Sequence, residues 1–395
     1  MQTAITPGAY QANQEDGDTM DPTKSLDRFL GSVIGAAVGD AVGAPPEFWP
    51  ADKFARIFGG DWVSDMYPYV EMGTHPYGLW RPNPPRGTST DDTRHNQVFI
   101  EAVLKHGVGI NSQFLAMEHV DRYLNRDRYY PGYHELATQQ FSFFYVDACA
   151  HLGIECPLRP GVPPYVIESH AAGSGYPLAH GLYAIPAAGL LHPGDRVATY
   201  KQAFELDYQD IGFARDAYAI LATMIGLAFD ESLSPRQIIR SALEVDPYGF
   251  DQRPWGPRAM VQWVNRCLDI ADAAADEREL VVRIAREVAG EPGFGSKDLL
   301  GFAVAAVYYT NGDPRRSILI AVNARDVDGE GRLVRFRDID CTGSVCGALV
   351  GAIAGLAAFP ADWVEACLKA NREVYGFDIE ANARALHRTV LGSEN

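Results

Sequence analysis

Gly31, Gly35 and Gly39 recur every four residues in SLDRFLGSVIGAAVGDAVGAPPEF, a stretch in which Leu26, Phe29, Leu30, Val33, Ile34 and Val38 repeat at helical spacing. A helix so patterned has one face without side chains, smooth enough for another helix to approach closely. Lipid-facing helices use the same spacing to dimerise, but this run is short and Asp40 interrupts it. Ser25 is the expected cap, and Pro45-Pro46 ends the helix. A second constraint comes late in the chain. TGSVCGALVGAIAGLAAF is almost wholly small and apolar, so it must be buried.

The stretches between read mostly as helices, at about 91–106, 111–125, 133–150, 195–206, 211–229, 234–244, 256–274, 276–289 and 297–310. Sustained alternation is scarce, and RLVRFRD at 332–338 is the best candidate, a short hairpin arm. Residues 50–88 and 153–181, rich in Gly and Pro, read as long loops, and the aromatics of the first suggest an ordered cover over a site. The expected fold class is all-α, a multi-helix bundle with at most one short β-hairpin. Residues 25–395 form one large domain, preceded by a polar tail, 1–24, expected to be mobile.

A formal net charge of −17 with no basic block argues against nucleic acid as a general partner. An anionic substrate would need a local cationic feature, and a bound metal is one way to provide it. None of the six cysteines forms a C-x-x-C pair, so they read as reduced, buried thiols. The N-terminus shows no signal-peptide pattern and no window has 18 consecutive apolar residues. The expectation is a cytoplasmic chain without a membrane span.

Asp91 and Asp92, in STDDTRHNQVFIEAVLKHG, admit two readings. They suit the positive end of a helix dipole, and Ser89 with Asp92 resembles a capping box. They could equally be half of a metal site. Two other acidic elements bear on the choice: Asp40 and Glu47 in GDAVGAPPEF, and Asp338 and Asp340 in FRDIDCTGSVCG, directly before the buried run. Two carboxylates at the mouth of a core helix are costly unless paired or metal-bound. Carboxylates, hydroxyls and water are what a hard cation such as Mg²⁺ takes.

These three elements in order, a glycine-rich helix ending in G-D-x-x-G, then T-D-D-T, then D-x-D before a small-residue helix, resemble the ADP-ribosylglycohydrolases of the dinitrogenase reductase-activating glycohydrolase type. The resemblance runs from about 26 to 390, and GLYAIPAAGLLHPGD resembles a middle motif of that family. It implies an orthogonal all-α fold with up to two Mg²⁺ or Mn²⁺ ions at the base of a cleft. Thr90, Asp91, Asp92 and Asp340 would hold one ion, and Asp338 with the shared Asp340 the other. The implied enzyme is a metal-dependent glycosidase that cleaves a ribosyl N- or O-glycosidic bond, foremost of an ADP-ribosyl adduct, free or protein-linked. Glu47 or Asp92 would take the proton of the attacking water.

Around that centre, Gly173, Ser174 and Gly175 could offer N–H groups to a diphosphate, and His180, like His170, could touch substrate. The aromatics of 62–80 either stack on a nucleobase or pack as a loop. His95 reads as structural. The chain departs from the family pattern at Cys341, where relatives carry Ser or Thr as a ligand to the second ion. A neutral thiol is a poor Mg²⁺ ligand, so the second position is expected to be the weaker one, with Thr342 as a substitute if the backbone shifts. Phe336-Arg337 replaces a glycine pair, Leu182-Tyr183 a Met-Arg pair and LDYQD a Thr-His, and about fourteen residues, ARDVDGEGRLVRFR, follow Asn323 as an insertion. These changes put another N-riboside beside the leading reading. A non-catalytic binding or structural member of the family is a separate alternative, against which the retained Thr90, Asp91, Asp92, Asp338 and Asp340 argue.

Overall fold

In the computed structural model the first helix, Pro22–Gly43, and a late helix, Ile339–Ala354, lie antiparallel with their backbones touching. A methyl group added at Gly39 would fall 1.9 Å from the carbonyl oxygen of Gly343, one at Gly347 1.9 Å from that of Gly35, and one at Gly351 1.9 Å from that of Gly31. The series continues to Gly43, which faces the carbonyl of Ile339. The smooth face expected from the sequence thus meets an identical one. Each turn contributes a glycine, and no other residue type would fit between the two backbones.

The structure describes residues 21–169, 178–252, 254, 257–290 and 293–392. Among these it is all-α, with eighteen α-helices and one two-stranded antiparallel sheet. Helices Phe213–Leu227, Ser296–Thr310 and Pro314–Ala321 pack on the late helix, while Ala361–Tyr375 and Ile379–Leu391 pack on the first. Both central helices are buried along most of their length, as a core with no polar face requires. No helix among the described residues is long and apolar enough to cross a membrane, and all six cysteines are free.

Three expectations need correction. The first helix starts at Pro22 rather than at 25, capped by Asp21, whose carboxylate accepts the Thr23 N–H at 2.9 Å. Ser25 instead bonds the His387 ring at 2.8 Å. Residues 50–88 are not loop throughout, because Ala51–Phe58 is helical with Phe54 buried. A further short helix, Pro164–Ser169, interrupts the second supposed loop. The hairpin is present: Arg325–Val327 pairs with Leu333–Phe336, Arg325 opposite Phe336 and Asp326 opposite Arg335. It is made from the inserted segment.

The antiparallel pairing has a positional result. It sets Asp40, near the end of the first helix, beside Asp340, in the first turn of the late one. The acidic residues singled out from the sequence gather there.

Candidate metal centre and cavity

Asp40 is fully buried, and its carboxylate starts another helix. It accepts the Thr90 N–H on both oxygens (2.9 and 3.0 Å), the Thr93 N–H at 3.2 Å and the Thr93 hydroxyl at 2.6 Å. It therefore caps Asp91–His106 from a different part of the chain. The capping box expected of Ser89 and Asp92 does not form. Thr90 is the N-cap and its own side chain makes no capping bond, while the Ser89 hydroxyl donates to Asn371. Relieved of capping, Asp91 and Asp92 stand at the N-terminus of one helix and Asp338 and Asp340 at that of another. Both positive dipole ends point charge at the same place.

Burial, then repulsion from Asp340, pushes the Asp40 carboxyl up to about 7. Burial is also the main cause that raises Asp91, Asp92, Asp338 and Glu47 well above the carboxylate range, with their neighbours' charges adding to it. Glu47 feels Asp340, Asp338, Asp91 and Asp92 together. The Arg94 guanidinium favours the charge of Asp91 but hydrogen-bonds away from it, to Gln140 and to the carbonyls of Pro76 and Gly78. So many buried acids with so little compensation would be strongly destabilising as anions.

Whether these residues suit a cation can be judged from their unsatisfied atoms. Thr90 Oγ1, Asp92 Oδ2 and Asp338 Oδ1 are buried without a protein hydrogen-bond partner. Each such atom costs on the order of 1–3 kcal/mol. A hydroxyl and several carboxylates form the donor set of a hard divalent cation. Carboxylate oxygens of Asp338 and Asp340 also lie with Cys341 Sγ within 4.8 Å of one another. The Thr342 hydroxyl, the substitute ligand considered from the sequence, donates to the Asp338 carbonyl at 2.6 Å.

A cavity of about 490 Å³ opens onto this cluster. Glu47, Asp91, Asp338, Asp340 and Cys341 form its acidic side, and Phe48, Tyr77, Phe143, Phe144, Tyr183 and Phe294 most of the remainder. Thr90 and Asp92 lie behind that lining. Among the described lining residues there is no Lys or Arg. The inserted hairpin braces the Glu47 turn: the Phe336 N–H donates to the Trp49 carbonyl at 3.0 Å, and the Phe48 N–H to the Arg337 carbonyl at 3.4 Å. Phe48 itself has a left-handed backbone (φ 53°), uncommon for a bulky residue, and this turns its ring to the cavity beside Glu47.

His180 is in the cavity wall, as a substrate contact requires. Behind it, Asp210 Oδ1 lies 3.6 Å from His180 Nδ1, and Asp207 Oδ1 accepts the Asp210 N–H at 3.2 Å. Burial pushes His180 down to about 4 and Asp207 up to about 6. His95 is remote in role: it stacks on Phe144 at 3.8 Å and contacts the Gln140 amide at 3.0 Å. Of the aromatics in 62–80 only Tyr77 lines the cavity. Trp62 packs under Arg278 and Arg325, and Trp80 against Tyr130 and Tyr375. Gly173, Ser174, Gly175 and His170 lie outside the described residues. Sequence reasoning missed Phe48, Phe143 and Phe294 as wall elements, and the Asp207–Asp210 pair behind His180. The LDYQD stretch was the one signal for that pair.

A family model described as ADP-ribosylglycohydrolase matches residues 21–394. Solved structures also match. One, described as an ADP-ribosylglycohydrolase-related protein complex, shares 22% identity over 93% of this chain and 99% of its own, with a TM-score of 0.56. That degree of likeness speaks to the fold. No curated protein sequence matches.

Proposed function

The chain belongs to the ADP-ribosylglycohydrolase family, glycohydrolases of ADP-ribosylated substrates, and on that premise we propose that it hydrolyses a ribosyl N- or O-glycosidic bond with the help of Mg²⁺ or Mn²⁺. The observation that carries this reading is the arrangement of Glu47, Asp91, Asp338 and Asp340 on one side of a single cavity, with unsatisfied oxygens of Thr90, Asp92 and Asp338 among them.

Thr90, Asp91, Asp92 and Asp340 would hold one ion, and Asp338 with Asp340 the other. A divalent cation there supplies Lewis acidity, offsetting the acids and polarising hydroxyl oxygens. The protein's own groups do the rest. Glu47, raised by burial and by its neighbours, takes the proton of the attacking water, a task for which a carboxyl raised above its ordinary range is the stronger base. It is preferred over Asp92 because it faces the cavity. The aromatic wall excludes bulk water and offers flat surfaces to the substrate. His180 contacts substrate, and Gly173, Ser174 and Gly175 bind the diphosphate. Residues 25–395 act as one unit, a reading supported by the extent of the family match. Cytoplasmic residence fits six free thiols, and a charge of −17 fits the absence of general nucleic-acid binding.

The substrate of first choice is an ADP-ribosyl adduct. A second reading, another N-riboside, is favoured by a described cavity lining that is aromatic and acidic without Lys or Arg. The test is release of the ribosyl product from ADP-ribosyl-arginine, ADP-ribosyl-serine and simple nucleosides, before and after EDTA and on return of Mn²⁺. Cleavage that stops with EDTA and returns with Mn²⁺ is expected. Phosphodiester cleavage without glycosidic cleavage would overturn the assignment.

A further inference from the structure

The donor chemistry of the centre changes at Cys341. Its thiol donates to Asp92 Oδ1 at 3.2 Å. Its sulfur also lies within 4.8 Å of carboxylate oxygens from both Asp338 and Asp340, and all three residues are buried. Asp338 Oδ1 and Asp92 Oδ2, on two of the carboxylates around that sulfur, have no protein partner. The cluster thus holds a soft donor among hard ones, with two unsatisfied oxygens beside it. The neighbouring hydroxyl, Thr342 Oγ1, donates to the Asp338 backbone carbonyl, and Cys341 rather than Thr342 lines the cavity.

Two ion positions built from these residues would be unlike. Thr90, Asp91, Asp92 and Asp340 present oxygen alone. Asp338, Asp340 and Cys341 present two carboxylates and a sulfur. Mg²⁺ demands near-ideal octahedral oxygen ligation and holds thiolate poorly. Zinc-class ions accept sulfur, carboxylate and few ligands, often three from the protein with one position left open. The position next to Cys341 offers three, and Cys341 also lines the cavity, so a fourth position there would open toward substrate.

Resting on the metal-dependent reading above, we propose that Asp338, Asp340 and Cys341 form a mixed thiolate–carboxylate site for a thiophilic divalent cation of the zinc or cobalt class, giving a centre made for two unlike ions. Ligation breaks the Cys341 S–H bond, forms a sulfur–metal bond and releases one proton to solvent through the cavity; no electron is transferred. The wall of the cavity is thereby divided, with hard oxygen chemistry on the Asp91 side and a thiolate-bound ion on the Asp338 side.

The full chain, stripped of metal, is titrated with Co²⁺ and followed by absorption spectroscopy. A sulfur-to-cobalt charge-transfer band is expected in the near ultraviolet, saturating at about one equivalent, alongside the visible ligand-field bands of bound cobalt. Zn²⁺ should abolish the band and millimolar Mg²⁺ should not. Cys341→Ser, close to isosteric, should remove the band while the ligand-field bands persist. Asp338→Asn should weaken cobalt binding at this position at least tenfold with the thiol intact. Circular dichroism of both variants checks the fold. Ligand-field bands without a charge-transfer band, or a band that survives Cys341→Ser, would overturn the mixed site while leaving the metal reading standing. No bound cobalt at all would overturn both.

Discussion

The thiol of Cys341 reaches the carboxylate of Asp92 across 3.2 Å, joining residues 249 positions apart in the chain. The contact ties the starts of the two helices that contribute the acids. Asp92 is held in place behind the cavity lining, whereas Glu47 on the opposite turn faces the open space.

Glu47→Gln should therefore lower kcat by roughly 10²–10⁴, the usual range for losing a general base, and leave Mn²⁺ affinity within a few-fold of the parent. Asp92→Asn should instead weaken Mn²⁺ binding. Steady-state kinetics with calorimetric titration separates the two; equal losses of affinity would place Glu47 among the ligands.

Asp340 adds repulsion to Asp40, Glu47, Asp92 and Asp338 alike. Asp340→Asn should raise the Tm of the chelated protein by a few degrees. It should also abolish the further rise that Mn²⁺ gives the parent, because stabilisation by a ligand requires a site. Activity should fall to background with helix content intact. A chelated Tm that drops instead would mean the acids are already compensated.

Stability of the chelated protein should increase on acidification from pH 7 to about pH 5. Asp40 and Asp147 are each raised to about 7 and Asp207 to about 6, against 3.8 in an unfolded chain. In that window the folded chain holds protons the unfolded chain has lost. The contribution is complete below about pH 4 and is lost as pH rises through the folded values. Below about pH 6.5 the buried imidazoles of His95, His119 and His180, held well below that value, act in the opposite sense, as the lowered carboxyls of Asp61 and Asp121 do below about pH 4. Asp91, Asp92, Asp210, Asp338 and Glu47, all raised well above the carboxylate range, add to the gain on acidification and set its net sign. Denaturant midpoints measured with EDTA across pH 5–8 check the sign.

Gly39→Ala should cost about 3 kcal/mol or more, at the upper end of the usual range for overpacking, because the added methyl meets backbone on a facing helix and not a side chain that can turn away. An alanine at Gly109, where nothing lies within 4 Å, is the control and should be near neutral. Comparable Tm values for the two would contradict the close pairing of the central helices.

Much of this was legible because periodicity is local. The glycine spacing of the first helix, the buried late run and the hairpin arm at 332–338 all follow from residues near one another. The helix Ala51–Phe58 was hidden by the prolines and glycines around it, although Phe54 and Phe58 lie four apart and both rings meet Tyr67. What sequence could not give was any role fixed by a distant partner. Asp40 looked like a site carboxylate and is a cap for Thr90 and Thr93. Asp207 and Asp210 looked like altered substrate contacts and are a buried pair behind His180. The hairpin was legible as a strand pair, but nothing local showed that it hydrogen-bonds the turn that carries Glu47.

The glycine-paired helices also set a schedule for biosynthesis. Residues 31–43 leave the ribosome well before their partners at 339–351, which follow some 300 residues later. At about ten residues per second that is a wait on the order of half a minute. Meanwhile an apolar helix displays a bare backbone stripe, and every pairing it can make is long-range and slow. Asp91 and Asp92 emerge early as well and have no Asp340 to share an ion with. The nascent chain thus carries half of the proposed metal ligands without the others, so release of a cut or stalled product short of residue 340 should yield neither a stable core nor a stray hydrolase.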